Sequence, residues 1–135
     1  MGRLDDKVAI VTGGARGQGA AEAALFRAEG AEVVPVTDSE GSSAPAQVER
    51  LIRDLVETGR CDAVFTCGSA RLLRLLQSLS REFGLPGQVA LEQQMACGLG
   101  MCFCCVRNFT VDGQTVSKRV CWDGPVFPLA EATSW

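Results

Sequence analysis

Histidine and tyrosine are both missing from this chain of 135 residues. Without histidine there is no imidazole base, no imidazole metal ligand and no Rieske-type ligation. Without tyrosine no phenol can act as an acid or base. A basic excess is missing too: 13 Lys and Arg face 16 Asp and Glu, for a formal charge of −3. That balance argues against non-specific nucleic-acid binding, which needs a positive surface. No apolar run approaches the roughly 20 residues of a membrane span. At the N-terminus, "MGRLDDKVAIVTGG" puts charges before a short apolar run that ends in glycines, which is not the order of a signal peptide. The expected place is therefore the cytoplasm. Thiols stay reduced there, and clustered cysteines more often hold metal than form disulfides.

An apolar share of 47% is enough for a packed core. The length suits one domain, with or without a small appendage. Three blocks follow one another. In the first, Lys7 to Thr12 reads as a short buried strand, glycines follow, Ala20 to Glu29 reads as a helix, and Glu32 to Thr37 as a second strand. Strand, glycine turn, helix and strand open a parallel α/β sheet. Pro35 removes a ladder donor and predicts an edge position or a bulge. After a break at "DSEGSSAPA", Val48, Leu51, Ile52, Leu55 and Val56 recur at helical spacing up to Gly59. "DAVFTCG", residues 62–68, reads as a third strand. Leu72, Leu73, Leu75, Leu76, Leu79 and Phe83 then stripe a helix closed by "GLPG", a pattern that core packing explains. The third block starts at Gln88. "VDGQTV" predicts a hairpin with Asp112 and Gly113 in the turn.

Four of the seven cysteines fall in "MACGLGMCFCC", residues 95–105. Cys97, Cys102 and Cys105 are spaced C-x4-C-x2-C, and Cys121 follows beyond the hairpin, as in plant-type [2Fe–2S] ligation. Two irons need two thiolates each. Gly98 and Gly100 let the backbone curl close enough for amide N–H groups to reach the cluster's sulfurs. Cys104 is left over. A structural zinc would favour two paired C-x2-C knuckles, so the spacing favours the cluster. Zinc and unliganded thiols stand as the alternatives.

Two resemblances add to this. "LEQQMACGLGMCFCCV" with "RVCWDGPVF" resembles the C-terminal iron–sulfur domain of the electron transfer subunit of type B dihydroorotate dehydrogenase. "DAVFTCGSARLL" resembles the end of that subunit's nucleotide-binding module, in the ferredoxin-reductase-like superfamily. That module has Cys-Gly-Pro and a methionine four residues after the glycine; here Ser69 and Leu72 take those places. "VTDSEGSS" is loosely similar to another segment of it. The likeness runs from about Glu32 to the end and is strongest from Leu91 to Phe127. It implies Cys97, Cys102, Cys105 and Cys121 as ligands of a [2Fe–2S] cluster, one-electron transfer as the function, pyrimidine biosynthesis as the setting, and a flavoprotein partner such as a dihydroorotate dehydrogenase catalytic subunit.

The first block, "KVAIVTGGARGQGAAEA", resembles the start of a short-chain dehydrogenase/reductase. Its glycine motif falls on Thr12, Gly13, Gly17 and Gly19, where a tight turn and a helix N-terminus would meet the pyrophosphate of NAD(P). Arg16 would favour a phosphorylated ribose. The family's ribose-binding acid belongs at Thr37, and Asp38 lies one residue later. Its catalysis needs a tyrosine, so that chemistry is excluded. A flavin-binding barrel, normal at the start of the electron transfer subunit, is not found, and no FAD site is read.

The expectation is an α/β protein. Residues 1–87 form a partial Rossmann-like parallel sheet of nucleotide-binding type, and residues 88–135 a ferredoxin-like iron–sulfur lobe. The chain transfers single electrons and binds neither nucleic acid nor membrane. The runner-up is an inert NAD(P)-binding module or a non-functional fusion.

Overall fold

The structure is a computed structural model that describes residues 2–67 and 69–133. The chain divides into two compact units, Met1–Cys61 and Asp62–Trp135.

In the first unit, β1 (Val8–Thr12) runs into α1 (Gly17–Ala28) and then β2 (Glu32–Val36). The strands pair in parallel, with Val8 opposite Glu32 and Thr12 opposite Val36. This is the predicted strand–turn–helix–strand unit. α1 starts three residues earlier than expected, directly at Gly17. Gly19 is required by close packing: a Cβ there would lie 2.5 Å from the Gly13 carbonyl oxygen. Pro35 lies in a two-stranded sheet, where every strand is an edge, and an edge tolerates the missing N–H. For the same reason β1 is less buried than predicted, with only Val11 fully covered. The amphipathic α2 (Pro45–Glu57) buries Val48, Ile52 and Leu55. Gly59 follows it in a left-handed conformation at φ 66°.

In the second unit, β3 (Val64–Thr66), α3 (Ala70–Phe83) and β4 (Gly87–Ala90) form another parallel strand–helix–strand unit. The predicted third strand is shorter than "DAVFTCG", and Gly68 lies outside the described residues. The expected single parallel sheet is instead divided among the described residues. β3 pairs with β4, and β4 pairs antiparallel with β7 (Val126–Pro128). β4 and β7 are too short, at four and three residues, to show an alternating pattern in the sequence. Ser69 caps α3, its hydroxyl accepting from the Leu72 N–H at 3.4 Å. The leucine stripe buries Leu73, Leu76 and Leu79, with Gln77 on the same face. Gln77 donates its side-chain amide to the carbonyls of Leu129, at 2.9 Å, and Ala132. That ties the C-terminal segment to the helix.

The hairpin is as predicted. β5 (Val106–Val111) and β6 (Gln114–Arg119) pair antiparallel around Asp112 and Gly113, at φ 50° and 77°. Both dihedrals are positive, as a type I′ turn requires. A single turn, α4 (Val120–Asp123), follows β6. Phe109 of β5, Val120 of α4 and Leu129 are fully buried. The rings of Phe109 and Phe127 meet at 4.4 Å. Phe109→Ala should cost about 3–5 kcal/mol. Urea unfolding followed by far-ultraviolet circular dichroism should show a lower midpoint with an unchanged slope.

Candidate metal centre

The cysteine segment between β4 and β5 has no regular structure, so its shape depends on specific ties. The Leu91 N–H donates to the Pro125 carbonyl at 3.0 Å. Arg107 Nε donates to Gln93 Oε1 at 2.8 Å. Further along, Gly98, Gly100 and Phe103 all adopt left-handed φ, at 65°, 75° and 59°. Gly100 is buried against Trp122, and a Cβ there would come within 2.9 Å of that residue's Cβ. Glycine is therefore needed at position 100 for both conformation and space. Phe103 holds the same conformation despite its side chain, which costs about 1–2 kcal/mol.

The loop turns amide N–H groups toward the thiols. The Leu99 N–H reaches Cys97 Sγ at 3.3 Å. Hydrogen bonds to Cys97 sulfur, first from the Cys102 N–H, then from the Leu99 N–H, the Cys102 thiol and the Met101 N–H, lower its pKa to about 6. The second pair is Cys105 and Cys121. Their sulfurs are 3.2 Å apart, and the Cys121 N–H points at Cys105 Sγ at 3.4 Å. That N–H and the Cys121 thiol lower the Cys105 pKa. Cys121 moves the opposite way, because its thiol donates to Cys105 and because it is partly buried, although the Gly100 N–H favours its thiolate. The hairpin explains the pairing: Cys105 precedes β5 and Cys121 follows β6, so the antiparallel ladder returns them to the same end.

Four thiols thus fall into two pairs, Cys97 with Cys102 and Cys105 with Cys121. Two irons taking two thiolates each need this division, and amide donors aimed at sulfur suit a negatively charged cluster. The donor set therefore fits a [2Fe–2S] cluster. Cys104 is exposed beside the buried Cys105. Sequence reasoning missed Arg119, whose guanidinium spans Asp123 and the Gly100 carbonyl. An arginine next to a cysteine carries no pattern that marks it.

The predicted nucleotide residues lie in the first unit. Thr12 ends β1, Gly13 turns at φ 71°, Arg16 is the residue before α1, and Gly17 opens the helix at φ 57°. The Arg16 side chain makes no capping hydrogen bond. Asp38 is exposed beyond β2 and accepts from the Ser43 hydroxyl, within its own turn. Thr37, the expected ribose-binding position, is buried, its hydroxyl donates to Glu40 Oε2 at 3.0 Å and its N–H donates to Ser42 Oγ at 2.8 Å. Apart from these, a cavity of about 160 Å³ lies in the second unit at the ends of β3 and β4, lined in part by Thr66, Cys67 and Glu92. The buried Thr66 hydroxyl has no partner among the described residues.

Residues 92–133 match the family model for the iron–sulfur cluster binding domain of dihydroorotate dehydrogenase B. Curated relatives agree. The electron transfer subunit of dihydroorotate dehydrogenase B from Desulforamulus reducens is 33% identical over 98 residues, covering 73% of this chain and 37% of the relative. The one from Caldanaerobacter subterraneus is 38% identical over 100 residues, covering 73% and 40%. The one from Bacillus mycoides is 41% identical over 71 residues, covering 52% and 27%. The chain thus spans about two-fifths or less of the length of these relatives. Among solved structures, an NADH-dependent reduced ferredoxin-NADP oxidoreductase superposes with a TM-score of 0.62 at 22% identity, covering 95% of this chain and 54% of that one. That likeness concerns the fold. The short-chain dehydrogenase likeness of residues 1–34 receives no support from these comparisons.

In the metal-free chain, iodoacetamide should label Cys97 ahead of Cys121 at pH 7, since the Cys97 pKa is lowered to about 6 and that of Cys121 is raised. Its labelling rate should climb through about pH 6 and then level off. Tandem mass spectrometry, which places the label within the tryptic peptide 82–107 that also holds Cys102, Cys104 and Cys105, reads both over a pH series.

Proposed function

We propose that residues 88–135 bind a [2Fe–2S] cluster through Cys97, Cys102, Cys105 and Cys121. On this reading the chain exchanges single electrons with a flavoprotein partner, as an electron transfer subunit of dihydroorotate dehydrogenase B would. The observation that carries the reading is the two-by-two pairing of thiols under converging amide N–H groups. When bound, the cluster accepts and releases one electron at a time. The chain's own residues do the rest. Cys97, with its pKa lowered to about 6, presents a thiolate at neutral pH, and the Cys105 pKa is lowered in the same direction. Gly98 and Gly100 shape the loop so that amides rather than side chains face the sulfurs. Around the thiols, Met95, Leu99, Met101, Phe103 and Trp122 are exposed. Such a rim can exclude water when a partner docks, which shortens the electron's path. With four thiolates and two ferric ions the cluster adds about −2 to the formal −3 of the chain. A partner should therefore meet it with a positive patch, in an association weakened by salt. The glycine turn of the first unit supplies at most a weak NAD(P) site, at Thr12, Gly13, Arg16, Gly17 and Gly19. Asp38 is engaged in its own turn.

Serine at Cys97, Cys102, Cys105 or Cys121 should abolish or strongly reduce cluster content, whereas Cys104→Ser should leave it nearly intact. Iron and acid-labile sulfide, about two of each per chain in the anaerobically purified protein, provide the measure. Colourless protein carrying zinc would sink the reading.

Electron flow gives a second test. A hydride donor delivers electrons in pairs, and the cluster takes one. NADH alone should leave the visible spectrum unchanged in stopped flow, and dithionite or an added flavin reductase should bleach it. Rapid bleaching by NADH in flavin-free protein would reveal a hydride-accepting site in the chain.

A further inference from the structure

Arg119 is the last residue of β6, two positions before Cys121. Its Nε and Nη2 donate to the two carboxylate oxygens of Asp123, at 3.1 and 3.2 Å. Asp123 also accepts the Arg119 backbone N–H at 2.7 Å, so the carboxylate is fixed from two sides. The remaining nitrogen, Nη1, donates to the Gly100 carbonyl at 3.1 Å. The guanidinium also lies 5.5 Å from the centre of the Phe103 ring, within cation–π range. One cation thus holds the segment between Cys97 and Cys105 at two points, from the strand end that leads to Cys121.

The Gly100 contact has a consequence at the sulfur. In a planar trans peptide the C=O and N–H point in opposite directions. The peptide that carries the Gly100 carbonyl also carries the Met101 N–H, one of the donors to Cys97 sulfur. A guanidinium pulling on the carbonyl side keeps that N–H aimed at the thiolate. The charge of Arg119 also reaches Cys105 and Cys121, which interact favourably with it. Hence the guanidinium acts on both thiol pairs, on one through a peptide and on the other through space.

We propose that Arg119 is a positioning residue that raises the reduction potential of the cluster bound by this loop, and that Asp123 offsets it. The proposal rests on the cluster reading above. Reduction adds one electron to the cluster, here supplied by dithionite through mediator dyes, and takes up no proton at these residues. The cluster with its thiolates passes from about −2 to about −3. A fixed cation and a well-aimed N–H both favour the more negative state. The Asp123 carboxylate, two residues after Cys121, opposes it.

The test is a potentiometric titration of the anaerobically purified, iron-loaded chain and of R119Q, R119K and D123N, read by visible absorption and electron paramagnetic resonance. R119Q should shift the reduction equilibrium about tenfold toward the oxidised form, or ~59 mV for one electron. R119K, which keeps the charge but not the fork, should fall between R119Q and the unmutated chain. D123N should shift the potential upward, because the cation stays and its counter-charge is gone. A role confined to holding the loop would lower stability in R119Q and D123N alike, without potentials of opposite sign. An R119Q potential equal to that of the unmutated chain overturns the proposal, as do R119Q and D123N shifts of the same sign. If R119Q loads no iron, D123N decides: an unchanged or lower potential overturns the proposal. An unmutated chain without iron and sulfide fails the cluster reading itself, before Arg119 is in question.

Discussion

Thiolates held a few ångströms apart repel one another, and the second unit is arranged around that repulsion. Cys105 and Cys121, with their sulfurs 3.2 Å apart, relieve it by sharing a hydrogen bond, which holds Cys105 toward its charged form and Cys121 toward its neutral form. Close like-charged groups behave this way when no metal neutralises them. Three features limit the strain. Left-handed turns at Gly98 and Gly100 bring amide N–H groups to the sulfurs. The hairpin fixes where Cys105 and Cys121 meet. Arg119 adds a positive charge at the junction of the two. Phe109 of β5, Val120 of α4 and Leu129, just past β7, are all fully buried in this unit.

The legible parts of the sequence were those whose signal is local. The Asp112-Gly113 turn, the leucine stripe of α3 and the glycine turn after β1 each appear where the pattern puts them, because each is decided by neighbours within a few residues. The cysteine spacing was legible for the same reason, and the comparisons support an iron–sulfur domain over residues 92–133. Long-range pairing was not legible. That β3 would pair with β4, and β4 with the three residues of β7, depends on contacts that no short window contains. Arg119 was missed because its importance depends on where the Gly100 carbonyl points, a property of the folded loop.

The first unit shows how far a motif can be followed without its chemistry. The glycine turn, the helix entry and the close approach of Gly19 to Gly13 are all present. The residues expected to hold a ribose are committed elsewhere, with Thr37 buried in a network with Ser42 and Glu40 and Asp38 bonded to Ser43. A backbone fit for phosphate is therefore paired with side chains that satisfy one another. Fold and recognition are separable properties, and here the fold alone is evident.

Cys105 and Cys121 lie sixteen residues apart in sequence, one at each foot of the hairpin. On the proposed assignment, iron bound by both closes that stretch into a ring. A covalent link across a loop of this length restricts the unfolded chain by about 3 kcal/mol in the chain-entropy view. The cofactor then acts as a removable cross-link as well as a redox centre. Metal supply, proteolytic lifetime and resistance to heat become linked quantities, and a cell short of iron would hold a less durable protein as well as a colourless one.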